Sequence, residues 1–198
     1  MLVVGSAPCL FEDVERALKL RPLASLMLVN GACTAIENAE HVLAGHEEKA
    51  EMFAAERRRR FPNAPPWQLH ACCNLKRLDL YRSMFPSVTR WWPHEKGTGA
   101  TSASKAVRLC FDMGADEVIL CGCPLDQPGY FPGEAKVHQQ VSCERIGDHG
   151  MSRIGIPVQE TRIIKAYRTR FKQLAEGEFK GKVFSMSGFT RECLGEPQ

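Results

Sequence analysis

No apolar run in this 198-residue sequence approaches the length of a bilayer span, which argues against a spanning helix. The opening, Met1-Leu-Val-Val-Gly5, reads as a strand and not as a signal peptide, so a cytoplasmic protein is expected. An excess of one charge is missing as well. Twenty-six Lys and Arg against 23 Asp and Glu leave a formal net charge of +3, too small to argue for nucleic acid by itself. The three-glycine dinucleotide fingerprint is absent, since only Gly5 stands where three would be needed. None of the nine cysteines forms a Cys-x-x-Cys pair. A zinc site gathered from His70, Cys72, Cys73, Cys121, Cys123 and Cys143 would therefore lack the usual paired spacing, and reduced thiols are the plainer reading. Neither an internal repeat nor a domain boundary is visible.

What is present is ordinary globular material, 44% hydrophobic and 25% charged, enough for one domain with a proper core. The stretch Gly97–Asp126 organises the rest. Small and hydroxyl residues from Gly97 to Ser102 form a tight loop, and Thr101 or Ser102 is placed to cap a helix whose amides and dipole would favour an anion such as a phosphate. Ala103, Ala106, Val107, Cys110 and Phe111 recur at helical spacing, with Lys105 and Arg108 elsewhere on the helix. Gly114 ends it. Val118-Ile-Leu-Cys121 is a strand of the kind buried on both faces of a parallel sheet, and Gly122, Pro124 and Asp126 follow at its carboxyl end, where open α/β sheets keep ligands.

Elsewhere, strand Leu2–Gly5, the turn Ser6-Ala-Pro-Cys9 and a helix from Phe11 to Leu20 make the first half of a nucleotide-binding unit, the turn offering free amides and the Ser6 hydroxyl. Pro8 suits a first-turn position, and Cys9 is either a small filler or a reactive thiol. Ser25–Val29 is the second strand. Asn30-Gly31 at its end is either a ligand contact or a left-handed turn. Ile36, Ala39, Val42 and Leu43 mark an amphipathic helix ending at Gly45, with His41 and His46 at the surface. Glu47–Phe61 is a charged helix whose Arg57–Arg60 run is a solvated face or, more sharply, a phosphate or nucleic-acid patch. Trp67–Cys73 and Ser87–Trp92 read as strands, Asn74 as the cap of a helix through Tyr81, Gln159–Glu176 as a helix and Lys182–Met186 as the last strand. A helical and loop insertion is expected over 47–93 and a mobile loop over 127–158. The expected fold class is α/β: a single Rossmann-like domain over 1–198, its mostly parallel sheet carrying helices on both faces.

Val3-Val-Gly-Ser-Ala-Pro-Cys-Leu10, Val29-Asn-Gly31, and Thr98-Gly-Ala-Thr-Ser102 through Cys121-Gly-Cys-Pro-Leu-Asp126 resemble, in order and spacing, the motifs of the bacterial sialyltransferase-like superfamily. More distantly the layout is similar to the motility-accessory glycosyltransferases and the 6-hydroxymethylpterin diphosphokinases. The resemblance implies a glycosyltransferase taking a nucleotide-activated sugar, CMP-linked in the sialyltransferases, and passing it to a hydroxyl acceptor. It places Ser6, Asn30, Thr101 and Ser102 at the nucleotide and Tyr130 at its phosphate, and Gly5, Ala7, Pro8, Cys9, Gly31, Gly99 and Asp126 are further candidates on the same loops. His149, with His138 as competitor, would be the general base. Ala7 and Cys9 depart from the family's glycine and serine. No Asp-x-Asp motif is present, so the expected transfer needs no metal. The alternative on the same scaffold, pyrophosphate transfer from ATP to a pterin-like alcohol, would need magnesium on Asp126 or Asp148. A third reading, a non-catalytic nucleotide or nucleic-acid binding protein, would use Arg57–Arg60 with Lys165, Arg168 and Lys172 on a single surface.

Overall fold

The computed structural model describes residues 1–93, 101–126 and 162–198. Its strands are β1 (Leu2–Val4), β2 (Leu26–Val29), β3 (His41–Ala44), β4 (Gln68–Cys73), β5 (Arg90–Pro93), β6 (Val118–Cys121) and β7 (Val183–Ser185). They form one sheet in the order β5-β4-β3-β2-β1-β6-β7, and each adjacent pair is parallel. The helices are α1 (Leu10–Leu20), α2 (Ala50–Arg60), α3 (Leu78–Met84), α4 (Ser102–Asp112), α5 (Arg162–Glu176) and α6 (Gly188–Leu194).

Alternation along the strands splits the core in two. Leu2, Val4, Leu28, Val42, Ala44, Leu69 and Ile119 face α1 and α2 through Leu10, Val14, Ala17, Phe53 and Ala54. Val3, Met27, Val29, Leu43 and Leu120 face α4 and α5 through Ala106, Val107, Cys110, Phe171 and Leu174. Because both faces are covered, the central strands β1, β2 and β6 are apolar throughout, and the expected α/β architecture with helices on both faces is what the chain forms.

The chain lays down β1 to β5 in one direction and then returns to set β6 against β1, so the order reverses between β1 and β6. At the other margin, β5 is a short edge strand bearing exposed Arg90 and Pro93, residues that discourage further pairing. The segment 47–93, expected as a helical and loop insertion, contributes β4 and β5 to this sheet.

Two expectations are corrected. The helix drawn through Ile36, Ala39, Val42 and Leu43 is instead a loop followed by β3, in which Val42 and Ala44 serve one core and Leu43 the other. His41 is half-buried on that strand, while His46 is exposed. The crossover from β2 to β3 therefore has no α-helix, only a 3₁₀ turn at Asn30–Thr34 and a loop. Arg57 holds that loop. It is fully buried, and its guanidinium donates to the carbonyls of Cys33 at 2.7 Å, Ile36 at 2.8 Å and Glu37 at 2.6 Å. Trp67 and Phe61 flank it at 5.3 and 5.6 Å from their ring centroids. The run Arg57–Arg60 is thus not a uniformly solvated face, because its first member is the staple of a crossover too short to hold itself.

Candidate functional site

Parallel pairing puts the carboxyl ends of all the strands on one edge, with neighbours about 5 Å apart. Along it come Gly45 after β3, Asn30 after β2, Gly5 after β1 and Gly122 after β6. Asn30 adopts a φ of 52°, a left-handed conformation that asparagine tolerates. Its Oδ1 accepts the Gly45 amide at 2.8 Å, and Nδ2 has no protein partner among the described residues.

Gly45 is also where α4 arrives. A Cβ built there would lie 2.0 Å from Ser102 Oγ and 3.2 Å from Asn30 Oδ1, so only a bare Cα lets the three residues meet. Thr101 caps α4 in a reciprocal box: its Oγ1 accepts the Ser104 amide at 2.8 Å, and Ser104 Oγ accepts the Thr101 amide at 2.9 Å. Thr101 is consequently buried and spent on structure, whereas Ser102 is half-exposed. The Ser102 and Ala103 amides have no partner among the described residues. Lys105, one turn on, reaches across and donates to the Gly45 carbonyl at 3.2 Å. An anion over this corner would meet two amides, the positive end of the α4 dipole and an ammonium. The sequence alone does not mark Gly45 or Lys105, the first reading as a helix terminus and the second as merely off the apolar stripe.

The turn after β1 is less open than expected. The Gly5 amide donates to Cys121 O at 2.8 Å and the Ala7 amide to Gly122 O at 3.2 Å, so these two are consumed by the end of β6. A Cβ on Gly5 would sit 2.5 Å from both Cys123 Sγ and the Gly122 carbonyl, which closes the seam between β1 and β6 with packed backbone. Asp13, buried on α1, locks the same seam by accepting the Gly122 amide at 2.8 Å and the Ser187 hydroxyl at 2.6 Å. Pro8 is exposed and Ser6 half-exposed; the Ser6 hydroxyl has no partner among the described residues. Burial pushes the Cys9 thiol up to about 11, its contact with Ser187 only partly opposing this, so the thiolate is scarce at neutral pH and the filler reading fits the site.

Other expected site residues lie elsewhere. Gly31 is buried, its carbonyl accepting Thr34 Oγ1 at 2.9 Å inside the 3₁₀ turn. Asp126 packs beside the start of α6, where a Cβ on Gly188 would come within 2.3 Å of its Oδ1. It lies on the β6–β7 side of the sheet edge, whereas Asn30, Gly45 and Ser102 meet over β2 and β3. Gly99, Tyr130, His138 and His149, like the loop 127–158, Cys143 and Asp148, fall outside the described residues.

The zinc set does not assemble among the described residues. Cys72 and Cys73 belong to β4 and Cys121 to β6, with three strands between them, and no group of three His, Cys, Asp or Glu suited to a metal occurs among the described residues. Nor do the basic patches merge. Arg57–Arg60 belong to α2 on one face, and Lys165, Arg168 and Lys172 to α5 on the other, where Arg168 stacks 4.6 Å over Phe189. No helix among the described residues is long and apolar enough to cross a membrane.

No protein-family model and no curated protein matches the sequence. Solved structures do. The sialyltransferase CstII of Campylobacter jejuni, in complex with the substrate analogue CMP-3FNeuAc, is similar with a TM-score of 0.62 at 11% identity, over 100% of this chain and 85% of that one. The monofunctional α-2,3-sialyltransferase Cst-I of Campylobacter jejuni is similar with a TM-score of 0.63 at 9% identity, over 98% of this chain and 79% of that one. The likeness is one of fold, and it falls on the same group that the sequence motifs resemble.

Proposed function

We propose that the chain is a glycosyltransferase-like enzyme that holds a nucleotide-activated sugar along the carboxyl edge of its sheet. The observation that carries this reading is the meeting of Asn30, Gly45 and Ser102 at the first turn of α4, with Lys105 alongside. Amides and an ammonium there suit the phosphate of the donor, and the donor amide of Asn30 and the Ser6 hydroxyl suit its nucleoside. The bound CMP-sugar analogue of the similar CstII structure favours a cytidine donor among the alternatives.

In the transfer, an acceptor hydroxyl attacks the anomeric carbon as the carbon–oxygen bond to the donor phosphate breaks. The phosphate departs with the bonding electrons, and its new charge falls where the α4 amides and Lys105 can neutralise it. The proton of the attacking hydroxyl passes to a histidine base, His149 with His138 as competitor, and the step draws on no metal. Titration calorimetry with cytidine, uridine and guanosine nucleotides tests the reading: binding to one base class is expected, and no heat with any at millimolar concentration overturns it. Release of nucleoside monophosphate from the matching nucleotide sugar then separates an enzyme from a binding protein.

A further inference from the structure

Charge and exposed apolar surface coincide at one place outside the Asn30 corner, towards the β5 margin of the sheet. The segment 74–93, which runs from the end of β4 through α3 to β5, carries Lys76, Arg77, Arg82 and Arg90 against Asp79 alone. Its net +3 equals the formal net charge of the whole chain, so the remaining residues sum to zero. On the same segment Leu75, Leu80 and Met84 are 49%, 54% and 55% exposed, half of the large hydrophobic side chains that stand out in solvent among the described residues.

The orientation of α3 is fixed from beneath. Tyr81 and Phe85 stack at 6.2 Å between centroids, and Trp91 of β5 lies 5.7 Å from Tyr81 and 6.3 Å from Phe85. With that side of the helix turned to the sheet, Arg77, Leu80 and Met84, spaced by three and four residues, share an outward flank. Arg58 of α2 joins the margin by donating to Ser87 Oγ at 3.0 Å. Exposed leucine and methionine cost free energy in water and do nothing for a purely ionic partner. Cations ringing such side chains, with tryptophans close by, are the composition that favours the boundary between lipid headgroups and acyl chains.

We propose that residues 74–93 form a docking face for an anionic lipid bilayer. Leu75, Leu80 and Met84 enter the headgroup layer while Lys76, Arg77, Arg82 and Arg90 meet lipid phosphates. Since Asn74 and Leu75 follow β4 directly, docking brings the ligand-bearing edge of the sheet towards the lipid surface.

The test is co-sedimentation of the full chain, without nucleotide, with phosphatidylcholine vesicles that contain or lack phosphatidylglycerol. Binding is expected only with phosphatidylglycerol and should fall steeply as salt rises. The pair Leu80→Ser with Met84→Ser, and separately Arg77→Glu with Arg82→Glu, should each weaken it by roughly tenfold or more, while melting temperatures stay close to the parent's. Leu23→Ser, an exposed leucine on the α1–β2 loop, should leave it unchanged. Three outcomes overturn the proposal: no sedimentation with either vesicle; a dimer in light scattering that the Leu80/Met84 pair abolishes; or binding to a polyanion such as heparin that ignores that pair and replaces binding to vesicles. Because no nucleotide is involved, failure here leaves the donor-binding reading standing, and the reverse holds too.

Discussion

His41 Nδ1 lies 3.2 Å from His70 Nε2, and the opposite nitrogen of His70 accepts the indole N–H of Trp92 at 3.0 Å. An indole can only donate, so His70 Nδ1 carries no proton and its Nε2–H must donate to His41. Three neighbouring strands, β3, β4 and β5, are thereby joined by side chains that remain bonded only while both rings are neutral.

Burial first, then the neighbouring His41 and Arg90, pushes the His70 pKa down to about 3; burial likewise lowers that of His41, with Arg90 adding to it and Glu40 opposing it. The unfolded histidines take up protons below about pH 6.5 and the folded ones resist. Stability contributed by the pair is thus complete above about pH 6.5 and drains away as pH falls towards 3. Urea melts at stepped pH should show this slope, and His70→Gln, which keeps an acceptor for Trp92 and a donor for His41, should remove most of it. Parallel slopes in the two proteins would sink the idea.

Removing Arg57 should be costly where removing its neighbours is not. Arg57→Ala strands three loop carbonyls and is expected to cost roughly 3 kcal/mol or more in chemical denaturation. Arg57→Lys should recover little, because one ammonium cannot span the three carbonyls. Arg59, exposed and paired with Glu56, should leave the denaturation midpoint almost unchanged on conversion to alanine.

Gly45→Ala sets a methyl against Ser102 and should lower stability by roughly 1–3 kcal/mol. Combining it with Ser102→Gly removes the colliding atoms and should restore much of the loss. A double variant no better than the single would mean that the corner is not packed as described.

Asn30 serves structure with its oxygen and, in the proposed function, ligand with its nitrogen. Asn30→Asp keeps the acceptor for the Gly45 amide but replaces the donor with negative charge, so the melting temperature should hold while nucleotide affinity falls about tenfold or more. Asn30→Ala should lower both. Unchanged affinity in the aspartate variant would assign Asn30 to the turn alone.

Much of this is legible in the sequence alone. The capped start of α4 and the apolar strand β6 were readable because each concentrates its signal locally: a threonine cap before a 3.6-residue stripe, then an unbroken buried run. β3 was not, because His41-Val-Leu-Ala44 serves two cores at once and a four-residue apolar run fits either period. Arg57 had a usable signal that its charge concealed. Ala50, Phe53, Ala54 and Arg57 fall at i, i+3, i+4 and i+7, one stripe, and all four are buried. The loss of the Gly5 and Ala7 amides to β6 was beyond local reading, since their acceptors come from far along the chain. The packing of Asp126 against Gly188 is beyond local reading for the same reason, since Gly188 belongs to the last helix.

The position of β1 between β2 and β6 has a consequence for how the chain is made. Leu2–Val4 meets β2 soon after synthesis, but its other neighbour emerges from the ribosome only roughly a hundred residues later. Until then one whole margin of β1 stands open, so the half-made chain must wait, sticky along that side, for the segment that seals it.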